Sequence, residues 1–378
     1  MRTLLRNARV ISPGIDAPGM SILIEHGRIA SVNRDLTEAD DETDCNRAMV
    51  LPGFIDIHTH GGAGSDVSDG NLEAVRSVAR AKLREGVTTF LPTTLTLPHD
   101  ELVAAARAVA AYRRQPDFAK APGMHVEGPF INPKCVGAQN PAFVRPPSAA
   151  EIFELNSIAP VAIVSMAIEM PGGMDFVREM AAAGIITSLA HTAATFAQFQ
   201  EAKRAGLRHL THFCNQMTPL HHREIGIVGA GLVDTDVMIE LICDTIHVCP
   251  EMIALALNYK SPRQFMLITD SMAASWIGDG ETRIGGLRVT VKEGQARLDS
   301  GTLAGSTLRY NHGLRNFHQI TGLPLADLVQ TTSWNQARSL GFEGVGKIEP
   351  GFAADLVMLD DDFEVKATFV NGEVRFRC

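Results

Sequence analysis

Short apolar runs separated by longer amphipathic stretches set the rhythm of most of this chain. The runs F-I-D-I-H-T (54–59), V-T-T-F-L-P-T (87–93), G-M-H-V-E (123–127) and V-A-I-V-S-M-A-I (161–168) read as buried strands. The series continues with I-I-T-S-L-A-H (185–191), H-L-T-H-F (209–213), V-M-I-E-L-I-C-D (237–244) and Q-F-M-L-I-T-D (264–270). Helical patterns fall between them, such as N-L-E-A-V-R-S-V-A-R-A-K-L-R-E, with Gly86 just past its end as a C-terminal cap. Eight strands alternating with helices predict an α/β chain built as a (β/α)8 TIM-like barrel.

The two chain ends have a different texture. Near the start, L-L-R-N-A-R-V-I and S-I-L-I-E-H-G-R-I-A-S-V are interrupted by P-G and H-G turn signals, the pattern of a small β-meander. Near the end, A-D-L-V-M-L-D and K-A-T-F-V-N-G-E-V-R-F carry an N-G dipeptide between apolar runs, which predicts a tight hairpin. Residues 1–52 and 346–378 are therefore expected to build one small β-sandwich domain, and residues 53–345 the barrel. The segment 280–298, with Gly285, Gly286 and Gly294 at its turns, reads as an inserted hairpin over the pocket rather than part of that sandwich.

Composition narrows the function. A length of 378 residues exceeds what one simple core holds, and 45% hydrophobic with 20% charged residues is ordinary for an α/β enzyme. No apolar stretch is long enough to span a bilayer, and the start M-R-T-L-L-R-N-A-R-V-I lacks a secretory core and cleavage site. A cytoplasmic location without a membrane partner is expected. Cys45, Cys135, Cys214, Cys243, Cys249 and Cys378 form no C-x-x-C, which suits free thiols in a reducing compartment. Cys214 and Cys243 lie near candidate site residues, where packing is the expected role. A formal charge of −9 without a basic stripe argues against a nucleic-acid partner. An anionic substrate would need a local cationic pocket.

The candidate chemistry is scattered in sequence but regular in position. His58 and His60 form a His-x-His pair, and alternation along a strand points both imidazoles to one face. Glu127, His191, His212 and Asp270 likewise end apolar runs. These six fall at the C-terminal ends of the first, third, fifth, sixth and eighth runs. That is the face where barrel enzymes assemble their sites, so a metal centre is expected there.

P-G-F-I-D-I-H-T-H-G-G and G-K-I-E-P-G-F-A-A-D-L-V, joined by strand-end His and Asp residues, resemble the amidohydrolase superfamily over essentially the whole chain. H-V-E-G-P-F-I-N-P, A-H-T-A-A-T, T-H-F-C-N-Q-M, I-T-D-S-M and L-A-G-S-T-L resemble its N-acetylglucosamine-6-phosphate deacetylase family. The resemblance implies a divalent metal, one or two per subunit, with zinc foremost and iron, manganese or cobalt as alternatives. It implies Glu127, His191 and His212 as ligands of one ion, and His58 and His60 as ligands of a second that Glu127 bridges. Asp270 would act as general base and then acid on a metal-activated water attacking the acetamide.

By the same resemblance, Arg223, in a loop with His221 and His222, would bind the phosphate through paired hydrogen bonds. Ala138, Asn215, Gln216, His247, Leu303, Ala304 and Gly305 would contact the sugar or its phosphate. Gln139 stands where the family usually has a histidine that polarises the substrate carbonyl; an amide donates a hydrogen bond but carries no charge. Phosphate-facing residues of the family can come from a neighbouring subunit, which implies a homodimer. The expected reaction is hydrolysis of N-acetylglucosamine 6-phosphate to glucosamine 6-phosphate and acetate. A related phosphorylated N-acyl amino sugar such as the galactosamine epimer, and a cyclic amide, stand as alternatives. A catalytically silent scaffold is disfavoured because every candidate ligand and Asp270 are present.

Overall fold

The computed structural model describes residues 2–36 and 39–378. The first strands are β1 (Arg2–Ser12), β2 (Ile15–Glu25), β3 (Arg28–Asn33), β4 (Asp41–Asp44) and β5 (Met49–Pro52). β2 runs antiparallel to β1 on one side. On the other, β4 and β5 lie parallel to successive halves of β1, Thr3–Arg6 facing Asp41–Asp44 and Arg9–Val10 facing Met49–Val50.

The chain then enters the barrel with β6 (Phe54–Thr59), followed by a short ribbon of β7 (Gly61–Gly62) and β8 (Ser65–Asp66). Strands and helices alternate from there: α1 (Leu72–Leu83), β9 (Val87–Thr94), α2 (His99–Arg114), β10 (Met124–Glu127), α3 (Ala149–Ile158), β11 (Val161–Met166) and α4 (Gly173–Ala182). The second half comprises β12 (Ile186–Leu189), α5 (Phe196–Ala205), β13 (His209–Leu210), α6 (Gly226–Val233), β14 (Met238–Ile242), α7 (Pro250–Tyr259) and β15 (Phe265–Ile268). The eight strands pair in parallel in the order β6, β9, β10, β11, β12, β13, β14, β15. The ring closes between first and last, where the Asp270 amide donates to the His58 carbonyl at 2.9 Å and the His60 amide to the Ser271 carbonyl at 2.9 Å. This is the expected (β/α)8 barrel.

After β15, the antiparallel strands β16 (Gly280–Ile284), β17 (Leu287–Lys292) and β18 (Gln295–Leu298) form a separate three-stranded sheet, so segment 280–298 is an insertion and does not join the terminal sheet. α8 (Tyr310–Thr321) returns to the barrel wall, and β19 (Leu356–Leu359), β20 (Val365–Val370) and β21 (Glu373–Arg377) rejoin the first sheet through β19 antiparallel to β5. The eight strands from both ends form one hydrogen-bonded sheet, seven in a continuous path and β4 off it against β1, folded around its own apolar cluster in which Leu5, Val10, Ile22, Ile24, Val50, Leu356 and Phe369 meet. The expected N-G hairpin joins β20 to β21; Asn371 and Gly372 both have positive φ, 49° and 76°, as a two-residue turn of this hand requires.

Helix α1 shows how local sequence serves the barrel. Asn71 caps it by accepting from the Ala74 amide at 3.0 Å, and Val75, Val78, Ala79 and Leu83 bury one face. The same face carries Lys82, fully buried, with its ammonium 3.1 Å from carboxylate oxygens of both Asp56 and Glu85. It also donates to Thr269 Oγ1 at 3.0 Å and Ser271 Oγ at 2.9 Å, so one ammonium ties β6 to the end of β15. Burial alone would lower its pKa, but Glu85 and Asp56 outweigh that and raise it, which keeps the charge in place. No helix among the described residues is long and apolar enough to cross a membrane.

Replacing Lys82 by Met leaves two buried carboxylates without a cation. We expect Lys82→Met to lose about 3–5 kcal/mol of stability, read as a lower midpoint in urea unfolding; an unchanged midpoint would refute the role of this seam.

Candidate metal centre and active site

The strands in this half of the barrel are shorter than the apolar runs suggest, and the difference creates the site. β12 ends at Leu189, β13 at Leu210 and β15 at Ile268, two residues short of His191, His212 and Asp270 in each case. All three residues have positive φ, 45°, 32° and 49°. Leaving the pleat in this left-handed conformation costs a non-glycine residue on the order of 1 kcal/mol or more. Neighbouring backbone bonds hold each turn: Asn132 N donates to His191 O, Asn215 N to His212 O, and Asp270 N to His58 O. Glu127 is the last residue of β10, and His58 and His60 flank the end of β6.

The six side chains converge. Glu127 Oε1 lies 3.1 Å from His212 Nε2 and 3.4 Å from His191 Nε2, while Oε2 lies 3.3 Å from His60 Nε2. Asp270 Oδ1 is 3.2 Å from His60 Nε2 and 3.6 Å from His58 Nε2. The Nε2 atoms of His191 and His212 stand 3.2 Å apart, and those of His58 and His60 3.3 Å. Donors about 2.0–2.1 Å from a tetrahedral cation are about 3.3 Å from one another, so these separations match the edges of a coordination sphere. Two donor groups result, Glu127 with His191 and His212, and His58 with His60 and Glu127, sharing one carboxylate. Two of the outward nitrogens are anchored: His191 Nδ1 donates to Cys135 O at 2.8 Å and His60 Nδ1 to Thr93 O at 3.2 Å. That leaves their Nε2 lone pairs facing inward. These residues fit a divalent cation.

The cluster floors a cavity of about 330 Å3. Ala138, Gln139, Asn215, Gln216, His247, Leu303 and Gly305 line it, together with His60, Glu127, His191, His212 and Asp270. His58 lies fully buried among the donor residues without lining the cavity, and Ala304 is buried and outside the lining. Arg223 is exposed and outside the lining; its guanidinium meets His222 Nε2 at 2.8 Å. Gln139 accepts from the Thr96 amide at 2.7 Å and donates its NH2 to Glu127, so its amide is committed to the carboxylate shared by the two donor groups. Because a backbone N–H can only donate, this fixes which end of the Gln139 amide faces Glu127.

The sequence matches the Amidohydrolase family over residues 49–375. It is 34% identical over 376 residues to the N-acetylglucosamine-6-phosphate deacetylase of Lysinibacillus sphaericus, covering 98% of this chain and 97% of that one. The chain belongs to this amidohydrolase family. It is also 35% identical to the N-acetylgalactosamine-6-phosphate deacetylase of Escherichia coli, over 99% of each chain. The fold superposes with a TM-score of 0.93, at 30% identity and 99% coverage of both chains, on the Mycobacterium smegmatis N-acetyl-D-glucosamine-6-phosphate deacetylase solved with N-acetyl-D-glucosamine-6-phosphate.

Sequence reasoning missed several residues of this amidohydrolase cavity. Arg297, at the β18 end of the inserted sheet, and Thr302 after it line the opening with Ile284 and Leu95. Among the described residues Arg297 is the one lysine or arginine in the lining, held by bonds to Gly301 O at 2.7 Å and Gln295 Oε1 at 2.9 Å. Its signal was the alternation in Q-A-R-L, which buries Ala296 and exposes Arg297. Glu240, a carboxylate inside an otherwise apolar run, was equally visible and equally unassigned. All six cysteines are free, and burial pushes the Cys214 thiol up to about 12, in keeping with a packing role.

Charge in the cluster sits on opposed pairs. Burial alone would raise the Glu127 and Asp270 carboxyls; the His58 imidazole and the other facing histidines outweigh it and hold both below the usual carboxylate range, Glu127 well below. Burial would lower His60 and His212, but Asp270 and Glu127 raise His60 well above an ordinary imidazole, and Glu127 raises His212. These imidazoles therefore keep protons to higher pH than free histidine, and a cation must displace them. Cation affinity is expected to rise with pH as the two imidazoles deprotonate. Calorimetry in buffers of different ionisation enthalpy should register proton release on loading; a buffer-independent heat would overturn this.

Proposed function

We propose that this amidohydrolase hydrolyses the acetamide of N-acetylglucosamine 6-phosphate to glucosamine 6-phosphate and acetate. The observation that carries the reading is the meeting of ionised Asp270 with a five-residue His and Glu donor set at the floor of a cavity of about 330 Å3, the size of a small-molecule site. Glu127, His191 and His212 would hold one divalent ion, and His58 and His60 with Glu127 a second; zinc suits this set of imidazoles and carboxylates. The cation, when bound, supplies a reactive water at neutral pH and withdraws electrons from the amide carbonyl.

The protein's own groups do the rest. Asp270 takes a proton from the attacking water and returns it to the departing amine, as the new C–O bond replaces the C–N bond. Its depressed pKa keeps it ionised, and therefore a base, at neutral pH. Gln139 restrains Glu127 through its NH2 group. His247 donates through Nδ1 to Asp244 Oδ2 at 2.6 Å, which fixes the ring that faces the cavity. Asn215, Gln216, Leu303 and Gly305 form the walls for the sugar, with Ala138 beside Gln139. Ala304, buried between Leu303 and Gly305, would hold that stretch of backbone in place.

Arg223 is exposed and outside the cavity of its own chain, so phosphate recognition by this residue calls for a second copy, and we take the working form to be a cytoplasmic homodimer. N-acetylgalactosamine 6-phosphate is the second substrate reading, favoured by the full-length similarity to the galactosamine-acting relative. The two sugars are epimers, so one hydroxyl contact separates them.

Acetate release from both phosphosugars and from unphosphorylated N-acetylglucosamine, with metal content measured on the same sample, tests the reaction. Turnover of a phosphosugar should fall about 100-fold or more in Asp270→Asn with metal retained. A metal-loaded protein inert towards all three compounds would overturn the reading. Arg223→Ala should raise KM for the phosphosugar with kcat little changed, and sedimentation velocity should show a dimer. A monomer at assay concentration, or an unchanged KM, would remove Arg223 from the site.

A further inference from the structure

β14 carries its carboxylate into the middle of the barrel. Ile239 and Leu241 turn outward to the helix-packed core, and alternation sends Glu240 inward with Ile242. Glu240 is completely buried, and among the described residues no lysine or arginine pairs with it. Its partners are two imidazoles and a hydroxyl. Oε2 lies 3.4 Å from His58 Nδ1, and Oε1 lies 3.4 Å from Ser188 Oγ and 3.5 Å from His209 Nδ1. A carboxylate in this position costs several kcal/mol unless its surroundings compensate it, so its retention within an apolar strand needs a reason.

His58, His125 and Glu240 are close enough to suggest a cation site of their own, but their atoms are already engaged. His125 donates through Nδ1 to Ile57 O at 2.8 Å, and its Nε2 accepts from Ser165 Oγ at 2.7 Å. No lone pair of that ring is left for a cation. What remains is the contact with His58. An ionised carboxylate only accepts hydrogen bonds, so His58 Nδ1 must carry the hydrogen, and Nε2 is then bare. That Nε2 stands 3.3 Å from His60 Nε2 and 3.6 Å from Glu127 Oε1.

We infer that Glu240 is a positioning residue that makes His58 a ligand, and that it thereby decides whether the His58–His60 position holds a cation. The inference rests on the two-cation reading of the site. It concerns one position only, because His191 at the other is anchored through the Cys135 carbonyl, independently of Glu240. In Glu240→Gln the anchor loses its charge, and the amide NH2 can instead favour the tautomer that puts hydrogen on Nε2. Removing such a partner typically weakens cation binding 10–100-fold.

The test is a titration of chelator-stripped full-length protein with Zn2+ or Co2+, reading stoichiometry by elemental analysis and both affinities by competition with a chromophoric chelator. Wild type should bind two ions per chain. Glu240→Gln should lose the second 10–100-fold and keep the first. Equal loss at both positions would mark Glu240 as a general packing element, and unchanged binding would show that His58 needs no anchor; either overturns the inference. Wild type that takes one ion overturns the two-cation reading itself, and wild type that takes none overturns the metal centre. Should Glu240→Gln fail to fold, Glu240→Asp keeps the charge and withdraws the oxygen by one methylene. The same selective loss at the second position is then expected, and its absence would be equally decisive.

Discussion

Closure of the barrel between its first and last strands is the constraint on which the site depends. His58 and His60 come from the end of β6 and Asp270 from just beyond β15, and they meet because the Asp270 amide bonds to the His58 carbonyl across that seam. Asp56 reinforces it by accepting from Thr269 Oγ1 at 2.6 Å, and buried Lys82 reaches from α1 to both sides. A barrel open at this edge would separate Asp270 from His58 and His60. Electrostatics outside the ring thus hold together the chemistry at its mouth.

The interior is polar where most barrels of this kind are filled by aliphatic layers. Ile55, Leu91, Ile163, Ile186, Ile242 and Met266 do form an apolar cluster shared among the strands. Beside it runs a chain of polar groups: Ser165 Oγ to Thr211 Oγ1 at 2.6 Å, His125 to Ser165, and Glu240 to His58 and His209. Such a network is tolerated because most of its polar atoms find partners, and it connects to the donor residues above it through His58. Three carboxylates, Glu127, Asp270 and Glu240, meet imidazoles, hydroxyls and the Gln139 amide in this region, with no lysine or arginine paired to them among the described residues, a charge balance that suits a cation. Three left-handed residues store backbone strain at the same place, and the surrounding bonds offset it.

The cavity lining is divided between barrel loops and the inserted sheet. Asn215, Gln216 and His247 belong to loops after β13 and β14, whereas Ile284 and Arg297 come from β16 and β18. The inserted sheet therefore contributes cavity wall. Arg297 lies in that lining, while Arg223, the residue the motif resemblance singles out, lies outside it.

The alternation of apolar runs and amphipathic helices determined the barrel, because a parallel strand buried on both faces must be continuously apolar and must be followed by a helix. The N-G dipeptide determined a hairpin, since those two residues accept positive φ. The residue types of His58, His60, Glu127, His191, His212 and Asp270, each ending such a run, determined a donor set at one face. Tertiary structure decided what periodicity cannot encode. It ended β12, β13 and β15 early, because the left-handed turns at His191 and Asp270 are held by long-range backbone bonds and that at His212 by a bond from Asn215 N. It tied Gln139 to Glu127, placed Arg297 at the opening and left Arg223 outside. It also brought Glu240 under His58, a contact between strands distant in sequence that exists only once the ring has closed.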